Sequence, residues 1–343
     1  MKKRLPALLL LLTLLTGCAA PADAGADSVK QYQATFLDLF DTVTTVLGYA
    51  SSEEEFSQTV GALHDELLHY HQLFDIYNEY EGVTNLKTLN DAAGSGPVEV
   101  GEELMALLLD CRDYYDLTAG RVNVFLGSVL QLWHDARLQA INYPDSAALP
   151  KQDELRSAAL HADPRSVILD EAAGTVTITD TAMRLDVGAA AKGWAVQRVA
   201  EKAPAGLLLS VGGNVCATGP KPNGKSWVVG VQSPEEGSGY LHTLNIPRGA
   251  VVTSGDYQRY FFLNGKRYHH IIDPDTLQPG TFWRAVTVVC GDSGLADCLS
   301  TALFLMDLEQ GQALLERVNA EAMWIDEAGE RYYSPGFRDL IRN

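Results

Sequence analysis

The chain has 343 residues, which is enough for one large domain or two ordinary ones with a substantial core. Hydrophobic residues make up 46% of it and charged residues 20%, a composition typical of a folded globular protein and not of a disordered one. The formal net charge of −18 argues against nucleic acid as a partner, because proteins that bind it usually present a basic face. A small anionic ligand would need a local source of positive potential.

The N-terminus has the pattern of an export signal. Three basic residues precede the apolar run 5–15, which is too short to span a bilayer as a helix. The run ends in Leu15-Thr16-Gly17-Cys18, which resembles a bacterial lipobox: the chain is cut before the cysteine, and the cysteine receives lipid such as palmitate. An ordinary secretory signal that contains a cysteine is the alternative.

This pattern divides the chain into three parts. We expect a lipoprotein signal peptide at 1–17, a lipidated tether of small and polar residues at 18–30, and a folded domain at 31–343. Lipid on Cys18 is expected to anchor the domain to the cytoplasmic membrane, on its extracellular or periplasmic side.

The remaining cysteines do not predict a metal centre. They are widely spaced and contain no CxxC pair, so a zinc site is not expected, while one disulfide stays open for an exported chain. These cysteines are Cys111, Cys216, Cys290 and Cys298.

The first half of the domain is predicted to be mainly helical. Phe56, Val60 and Leu63 recur at helical spacing, which predicts an amphipathic helix from Glu53 to about Phe74. Further helices are predicted over 102–113 and from about residue 150.

Beyond residue 164 the pattern changes to short strands. Predicted strands cover 166–170, 175–179, 207–211, 227–232, 241–246, 260–263 and 285–290, and helices cover 189–202 and 295–315 with a break near Asp307. Asn264-Gly265 predicts a tight turn. Strands in runs without regular βαβ alternation favour an α+β fold, and we expect a single domain with a mixed or antiparallel sheet and packed helices.

A first candidate site lies where a predicted strand ends in Asp186 and small residues open the helix that carries Lys192. Free backbone N–H groups at a helix start, with a lysine one turn in, can cradle phosphate or pyrophosphate. A tight strand-to-helix junction with a solvated lysine is the alternative.

A second candidate is the pair His269 and His270, close to Asp273. Imidazole beside carboxylate at a strand end suits general acid–base chemistry. Histidines that merely bond locally at a strand end are the alternative.

A third candidate joins Asp297 and Thr301, which lie one turn apart on a predicted helix. Both offer oxygen, the ligand that a hard divalent ion such as Mg²⁺ prefers. The alternative is that Asp297 caps the helix or interacts with its N-terminal dipole, while Thr301 bonds back to the carbonyl four residues earlier.

The order of these segments resembles one family, the ApbE-like FAD:protein FMN transferases. The likeness spans roughly residues 36–316 and is looser in the N-terminal half. It is carried by LDVGAAAKGW at 185–194, VGGNV at 211–215, TSGDY at 253–257, YHHIIDP at 268–274 and ADCLSTA at 296–302. Phe40, Asn123 and Ala189 depart from the family pattern, where methionine, an acidic residue and glycine are usual.

The resemblance implies an enzyme that binds FAD with Mg²⁺, transfers FMN to a threonine or serine hydroxyl of an acceptor protein, and releases AMP. It places the metal at Asp297, Thr301 and the carbonyl of Ala189, and the hydroxyl proton on His270, with Asp273 orienting that site. It places FAD among a set of further residues: Phe40, Tyr77, Arg121, Val122, Asn123, Asp186, Lys192 and Ile272.

Two other functions remain open at this point. The same site could hydrolyse FAD to FMN and AMP, with water in place of the acceptor hydroxyl. A lipoprotein that only binds flavin, without turnover, is the second alternative; the pair Asp297 and Thr301 together with His270 argues against it, because passive binding needs neither a metal at phosphate nor a base.

Overall fold

A computed structural model of the protein describes residues 29–342 except residue 236. The predicted signal peptide, the lipidation site Cys18 and most of the predicted tether lie outside the described residues. Within the described part of the chain, no helix combines the length and the apolar character that crossing a membrane requires.

The described residues form an α+β domain, as predicted. The strands are β1 (Lys30–Leu39), β2 (Thr42–Ala50), β3 (Val98–Glu99), β4 (Val167–Asp170), β5 (Thr175–Ile178), β6 (Leu208–Val211), β7 (Asn214–Ala217), β8 (Trp227–Gln232), β9 (Tyr240–Ile246), β10 (Gly249–Gly255), β11 (Tyr260–Leu263), β12 (Lys266–His269), β13 (Ala285–Cys290), β14 (Ala320–Ile325) and β15 (Arg331–Tyr333). The helices are α1 (Glu53–Phe74), α2 (Leu86–Asp91), α3 (Glu102–Leu117), α4 (Gly127–Asn142), α5 (Gln152–Ala159), α6 (Ala191–Lys202), α7 (Ser293–Phe304) and α8 (Leu308–Leu315).

An antiparallel sheet of eight strands organises the domain, in the order β1-β2-β6-β7-β10-β13-β14-β15. Alternate residues of each strand face opposite sides, so one strand serves two cores. On β10, Ala250 and Val252 join the large core under α1, α6 and α7, while Val251 joins a smaller core under the β8–β9 hairpin. The sheet is therefore covered on both faces.

A third apolar cluster joins α4 and α5 to the β11–β12 hairpin. Trp133 of α4 stacks on Tyr268 at a centroid distance of 6.0 Å, and its indole N–H donates to the carbonyl of Leu277. This cluster holds the hairpin against the helices, beside the cavity described below.

Several predicted elements are confirmed, and the local reasons are visible. Helix α1 begins after Ser52, whose side chain accepts a hydrogen bond from the amide of Glu55, and it ends at Phe74 as its apolar spacing predicts. The predicted break near Asp307 separates α7 from α8, because the Asp307 side chain caps the new helix. Asn264-Gly265 turns the β11–β12 hairpin, with both residues at positive φ.

Several features differ from the predictions, and the predicted elements also lack strands β3, β7, β10, β14 and β15 and helix α2. The β1–β2 hairpin and α4 are absent from the predicted elements, although Ala34 and Phe36 alternate with polar residues and Val129, Trp133 and Ala136 follow a helical period. The segment before Asp186 is an extended loop and not a strand. The side chain of Asn90 replaces the missing strand partner there, since it bonds both the amide and the carbonyl of Leu185.

The four described cysteines are buried and free of disulfides. Cys216 and Cys290 lie on strands that flank β10, both opposite Ala250, so a whole strand separates them.

Candidate active site

A cavity of about 780 Å³ lies where the β10–β11 loop and β12 meet the start of α6 and one side of α7. A smaller cavity of about 230 Å³ adjoins it. The two share walls formed by Asp41, Tyr77, Asp186, Gly188, Lys192 and Arg259. Sites for small molecules are usually concave pockets of about 300–1,000 Å³, so the larger cavity is the candidate active site.

The cavity collects most of the residues that the motifs singled out. Eleven of the predicted site residues line the larger cavity: Tyr77, Arg121, Val122, Asn123, Asp186, Ala189, Lys192, His270, Ile272, Asp297 and Thr301. Phe40 lines the smaller cavity, and Asp273 lines neither. Segments that are about one hundred residues apart in the sequence therefore face one space.

Helices α6 and α7 cross closely at the candidate metal-binding residue, Asp297. Its Oδ2 accepts a hydrogen bond from the amide of Gly193 at 2.8 Å, and its Oδ1 lies 3.5 Å from Nζ of Lys192. A Cβ at position 193 would lie 2.4 Å from the Cβ of Asp297 and 2.4 Å from the carbonyl oxygen of Ser293. Only glycine therefore permits this crossing.

The structure contradicts two parts of the alternative for the acid–hydroxyl pair, the helix cap by Asp297 and the back-bond by Thr301. Asp292 caps α7, because its side chain accepts from the amide of Leu295 at 2.7 Å, and Asp297 lies inside the helix. Ser300 bonds back to the carbonyl of Asp297, whereas the hydroxyl of Thr301 lies 3.5 Å from Oγ of Ser254. Both side chains remain directed at the cavity.

The donor set fits a hard cation. Asp297 supplies a carboxylate oxygen, Thr301 a hydroxyl and Ala189 a backbone carbonyl, and all three residues line the same cavity. Such oxygens suit Mg²⁺, which binds proteins through one or two carboxylates and completes its shell with water and phosphate. Within the described residues, no three or more His, Cys, Asp and Glu side chains are arranged to bind a metal ion. A site built from such side chains alone, as zinc often uses, therefore has no candidate there.

The two histidines have different surroundings. His269 is buried, its Nε2 lies 2.9 Å from the carbonyl oxygen of Gly280, and its Nδ1 accepts from the amide of Ile271. His270 faces the cavity, where water reaches its surface although protein encloses the site. Desolvation in this enclosed space, followed by the positive charge of Arg259, lowers the pKa of His270 to about 3. His270 is therefore in the neutral form at neutral pH.

Asp273, which was predicted to orient the site, contacts a residue of the cavity wall and not His270. Its Oδ1 lies 3.3 Å from Nη1 of Arg121 and accepts from the amide of Asp275 at 2.8 Å. Among the described residues it makes no hydrogen bond with His270. Asp273 lines neither cavity, and its ion pair is with Arg121, which lines the larger one.

The departures from the family pattern have local explanations. The side-chain oxygen of Asn123 accepts a hydrogen bond from the backbone amide of Phe125, so Asn123 caps the short turn that follows it. Phe40 lies at the β1–β2 turn with φ +52°, and its ring meets His71 edge-on at 5.5 Å.

Asp186 and Tyr77 lie between the two cavities. The carboxylate of Asp186 accepts from the amide of Gly188 at 2.9 Å, while desolvation raises its pKa. Tyr77 is half exposed, and burial of its hydroxyl end, with Asp186 nearby, raises its pKa to about 12. Both groups are positioned to meet a ligand that extends through both cavities.

Among the cavity-wall residues that were not predicted, three can carry charge: His134 and Arg137 of α4, and Arg259 of the β10–β11 loop. The ring of His134 stacks on Tyr77 at 5.2 Å, and its Nδ1 lies 3.4 Å from Nη2 of Arg137. The spacing of His134 and Arg137, three residues apart on α4, would have marked a polar helix face had the helix been predicted.

The comparisons with known proteins agree on one family. The ApbE family profile matches residues 29–324. An FAD:protein FMN transferase of Treponema pallidum is 31% identical over 346 residues, which cover 95% of this chain and 92% of that protein. A protein of the same name from Klebsiella pneumoniae is 31% identical over 280 residues, covering 76% of this chain and 83% of its own length.

A solved structure has the same fold. The ApbE protein of Thermotoga maritima superposes with a TM-score of 0.81 at 28% sequence identity, over 92% of this chain and all of that one. Fold, motifs and relatives therefore agree, and the chain belongs to the ApbE family.

Proposed function

We propose that the protein is an FAD:protein FMN transferase, which moves the FMN half of FAD onto a threonine or serine hydroxyl of an acceptor protein and releases AMP. Relatives of that name align along nearly the whole chain. The observation that carries the proposal is the single cavity that unites Lys192, His270 and Asp297. Phosphoryl transfer needs positive charge at the phosphates, a base and a metal ligand, and these residues can supply all three in that order.

Mg²⁺ is the metal that this site suits. Asp297, Thr301 and the carbonyl of Ala189 would hold it, and when bound it neutralises charge on the pyrophosphate. Lys192 supplies a further positive charge next to Asp297. The local excess of positive charge matters because the whole chain carries −18.

His270 accepts the proton of the acceptor hydroxyl in this proposal. The acceptor oxygen forms a bond to the FMN phosphorus, and the bond from that phosphorus to the bridging oxygen breaks. AMP leaves with the bridging oxygen, and the proton passes to the imidazole. The low pKa of His270 keeps the imidazole unprotonated before the reaction.

FAD hydrolysis is the second candidate, favoured by one observation: water can reach His270 in the cavity. The same displacement with water as nucleophile would give FMN and AMP. The balance between the two reactions depends on whether an acceptor excludes water.

The membrane location is part of the proposal and rests on the lipobox-like sequence before Cys18. Lipid on Cys18 would keep the domain at the outer face of the cytoplasmic membrane, where its acceptor must also be present. Cys18→Ala should move the protein from the membrane to the soluble fraction; retention of the full membrane-bound amount would contradict the anchor.

The activity is tested with the domain, FAD, Mg²⁺ and a candidate acceptor protein. Flavin fluorescence on the acceptor in a denaturing gel, together with AMP release, is the expected result. AMP release without a fluorescent acceptor would identify hydrolysis instead, and FAD binding without AMP release would identify a passive flavin binder.

A further inference from the structure

Two arginines in the cavity wall have no carboxylate partner. Arg137 and Arg259 line the larger cavity, and among residues 29–342 other than 236 neither has an acidic side chain within ion-pair distance. The other cavity cations are paired: Arg121 lies 2.7 Å from Asp275, and Lys192 lies 3.5 Å from Asp297. The chain has 44 acidic and only 26 basic residues, so unpaired arginines in its central cavity need an explanation.

The two arginines line the same cavity as His270. Burial, and then the charge of Arg259, lower the pKa of Arg137, and both arginines disfavour the protonated form of His270. The backbone carbonyl of Arg259 accepts from the amide of His270 at 3.1 Å, so these two residues are fixed side by side. Like charges held together in a partly buried wall repel, and an anionic ligand would relieve that repulsion.

Their position suggests which part of the substrate supplies the anion. Arg259 belongs to the wall shared by both cavities, together with Lys192 and Tyr77. A dinucleotide that extends through both cavities would carry its two phosphates past this wall. The Tyr77 ring stacks on His134 and stays half exposed, which leaves apolar ring surface next to the arginines for a nucleoside base.

The charge balance of the reaction identifies the phosphate that gains charge. Each phosphate of a dinucleotide pyrophosphate carries one negative charge. After transfer, the FMN phosphodiester still carries one, whereas the AMP phosphate approaches two at neutral pH. Arginine stays protonated and binds phosphate through two parallel N–H groups, so paired arginines suit the product dianion best.

We propose that Arg137 and Arg259 form a subsite for the phosphate of the leaving nucleoside monophosphate, an inference that rests on the proposed FMN transfer. Together they bind the dianion that forms as the pyrophosphate is split. The phosphate that stays with the flavin would then contact Lys192 and the metal ion that Asp297 and Thr301 would hold.

The subsite is tested by AMP binding, which needs no turnover. The single variants Arg137→Gln and Arg259→Gln, and the double variant, are titrated with AMP and separately with FMN by calorimetry. Each single change should weaken AMP binding by about tenfold, as the loss of a charge-assisted hydrogen bond does, with less than about twofold effect on FMN. Arg137→Lys and Arg259→Lys should recover part of the loss.

Arg156→Gln is the matched control. Arg156 lies on α5 with a mostly exposed side chain 3.9 Å from Asp153, and it does not line the cavity, so its change should leave AMP binding unaltered. Unaltered FMN binding and melting temperature in the cavity variants would show that they fold.

Unchanged AMP affinity in both cavity variants would overturn the subsite. A higher KM for the acceptor with unchanged AMP affinity would also overturn it, and would assign the arginines to an acidic group on the acceptor. A wild-type protein that binds AMP through these arginines but transfers no FMN would retain the subsite and refute the proposed function.

Discussion

At the scale of single residues, the site contains pairs of nearby residues of the same type, of which one faces the cavity and the other stabilises local structure. Asp292 caps α7, whereas Asp297 faces the cavity; His269 bonds to the carbonyl oxygen of Gly280, whereas His270 faces the cavity. The pairs give matched comparisons, because each functional residue has a structural counterpart nearby.

The first prediction concerns the carboxylate of Asp297. Asp297→Asn keeps the size of the side chain and an oxygen for the amide of Gly193, but removes the negative charge. Mg²⁺ binding, measured by calorimetry on the unreacted protein, should fall by at least about tenfold, and FMN transfer should be lost.

Asp292→Ala is the control for that prediction. It removes the helix cap and should lower the free energy of unfolding by about 1 kcal/mol while Mg²⁺ binding stays the same. Equal Mg²⁺ affinity in wild type and Asp297→Asn would remove Asp297 from the metal site.

The second prediction concerns His270. His270→Ala should bind FAD with nearly wild-type affinity and lose transfer by about 10²–10⁴-fold, the usual range for a general base. Affinity is measured by flavin fluorescence and transfer by the gel assay. If binding and turnover fell by equal factors, His270 would be a binding residue instead.

At the scale of secondary-structure elements, the crossing of α6 and α7 decides the geometry of the site. The amide of Gly193 holds one oxygen of Asp297, so the other oxygen is free to face Lys192 and the cavity. Neither helix alone creates this arrangement, because the contact joins residues 104 positions apart.

The third prediction tests this crossing with one added methyl group. Gly193→Ala places a Cβ against Asp297 and the backbone of Ser293, so it should lower the free energy of unfolding by about 1–3 kcal/mol and weaken Mg²⁺ binding. Chemical denaturation and calorimetry measure the two effects.

Gly61→Ala is the corresponding control. Gly61 lies on α1, and a Cβ there meets no atom within 4 Å, so alanine should leave stability unchanged or raise it by up to about 1 kcal/mol. Similar behaviour of the two alanine variants would show that α6 and α7 can separate at no cost.

At the scale of the whole molecule, several histidines are held in the neutral form. Desolvation lowers the pKa of His134, His242, His269 and His270, and nearby arginines add to the effect. The unfolded chain releases these side chains to their ordinary pKa near 6.5. Acidification therefore favours the unfolded state, in which these histidines take up protons more readily.

The fourth prediction follows from that difference. Because the folded pKa values lie below the unfolded ones, the histidines contribute stability that is fully present above about pH 6.5. It is lost as pH falls towards the folded values, about 3 for His270. Urea denaturation should show a lower midpoint at pH 5 than at pH 7.5.

His270→Gln should reduce this dependence on pH, because one proton-binding group is removed from the unfolded state. An unfolding midpoint that is constant between pH 7.5 and pH 5 would show that the histidines keep ordinary pKa values in the folded protein.

Much of the fold and site was predictable because the signals are local. The apolar period of α1, its Ser52 cap and the Asn264-Gly265 turn all act within a few residues, and the structure confirms them. The β1–β2 hairpin and α4 were not predicted, although every second residue of β2 from Thr44 to Ala50 is buried and the buried residues of α4 follow a helical period. With α4 absent from the prediction, the cavity wall that carries Arg137 was absent as well.

The sequence by itself determined the helix and turn positions, the motif residues and the family resemblance, since these depend on residue type and short-range spacing. Tertiary structure alone decided three things: that Gly193 binds one oxygen of Asp297, that Asp273 pairs with Arg121, and that Arg137 and Arg259 line one cavity. Each joins residues more than one hundred positions apart. Only the packing of the helices, loops and hairpin that carry them brings such residues together, and no short-range pattern records that packing.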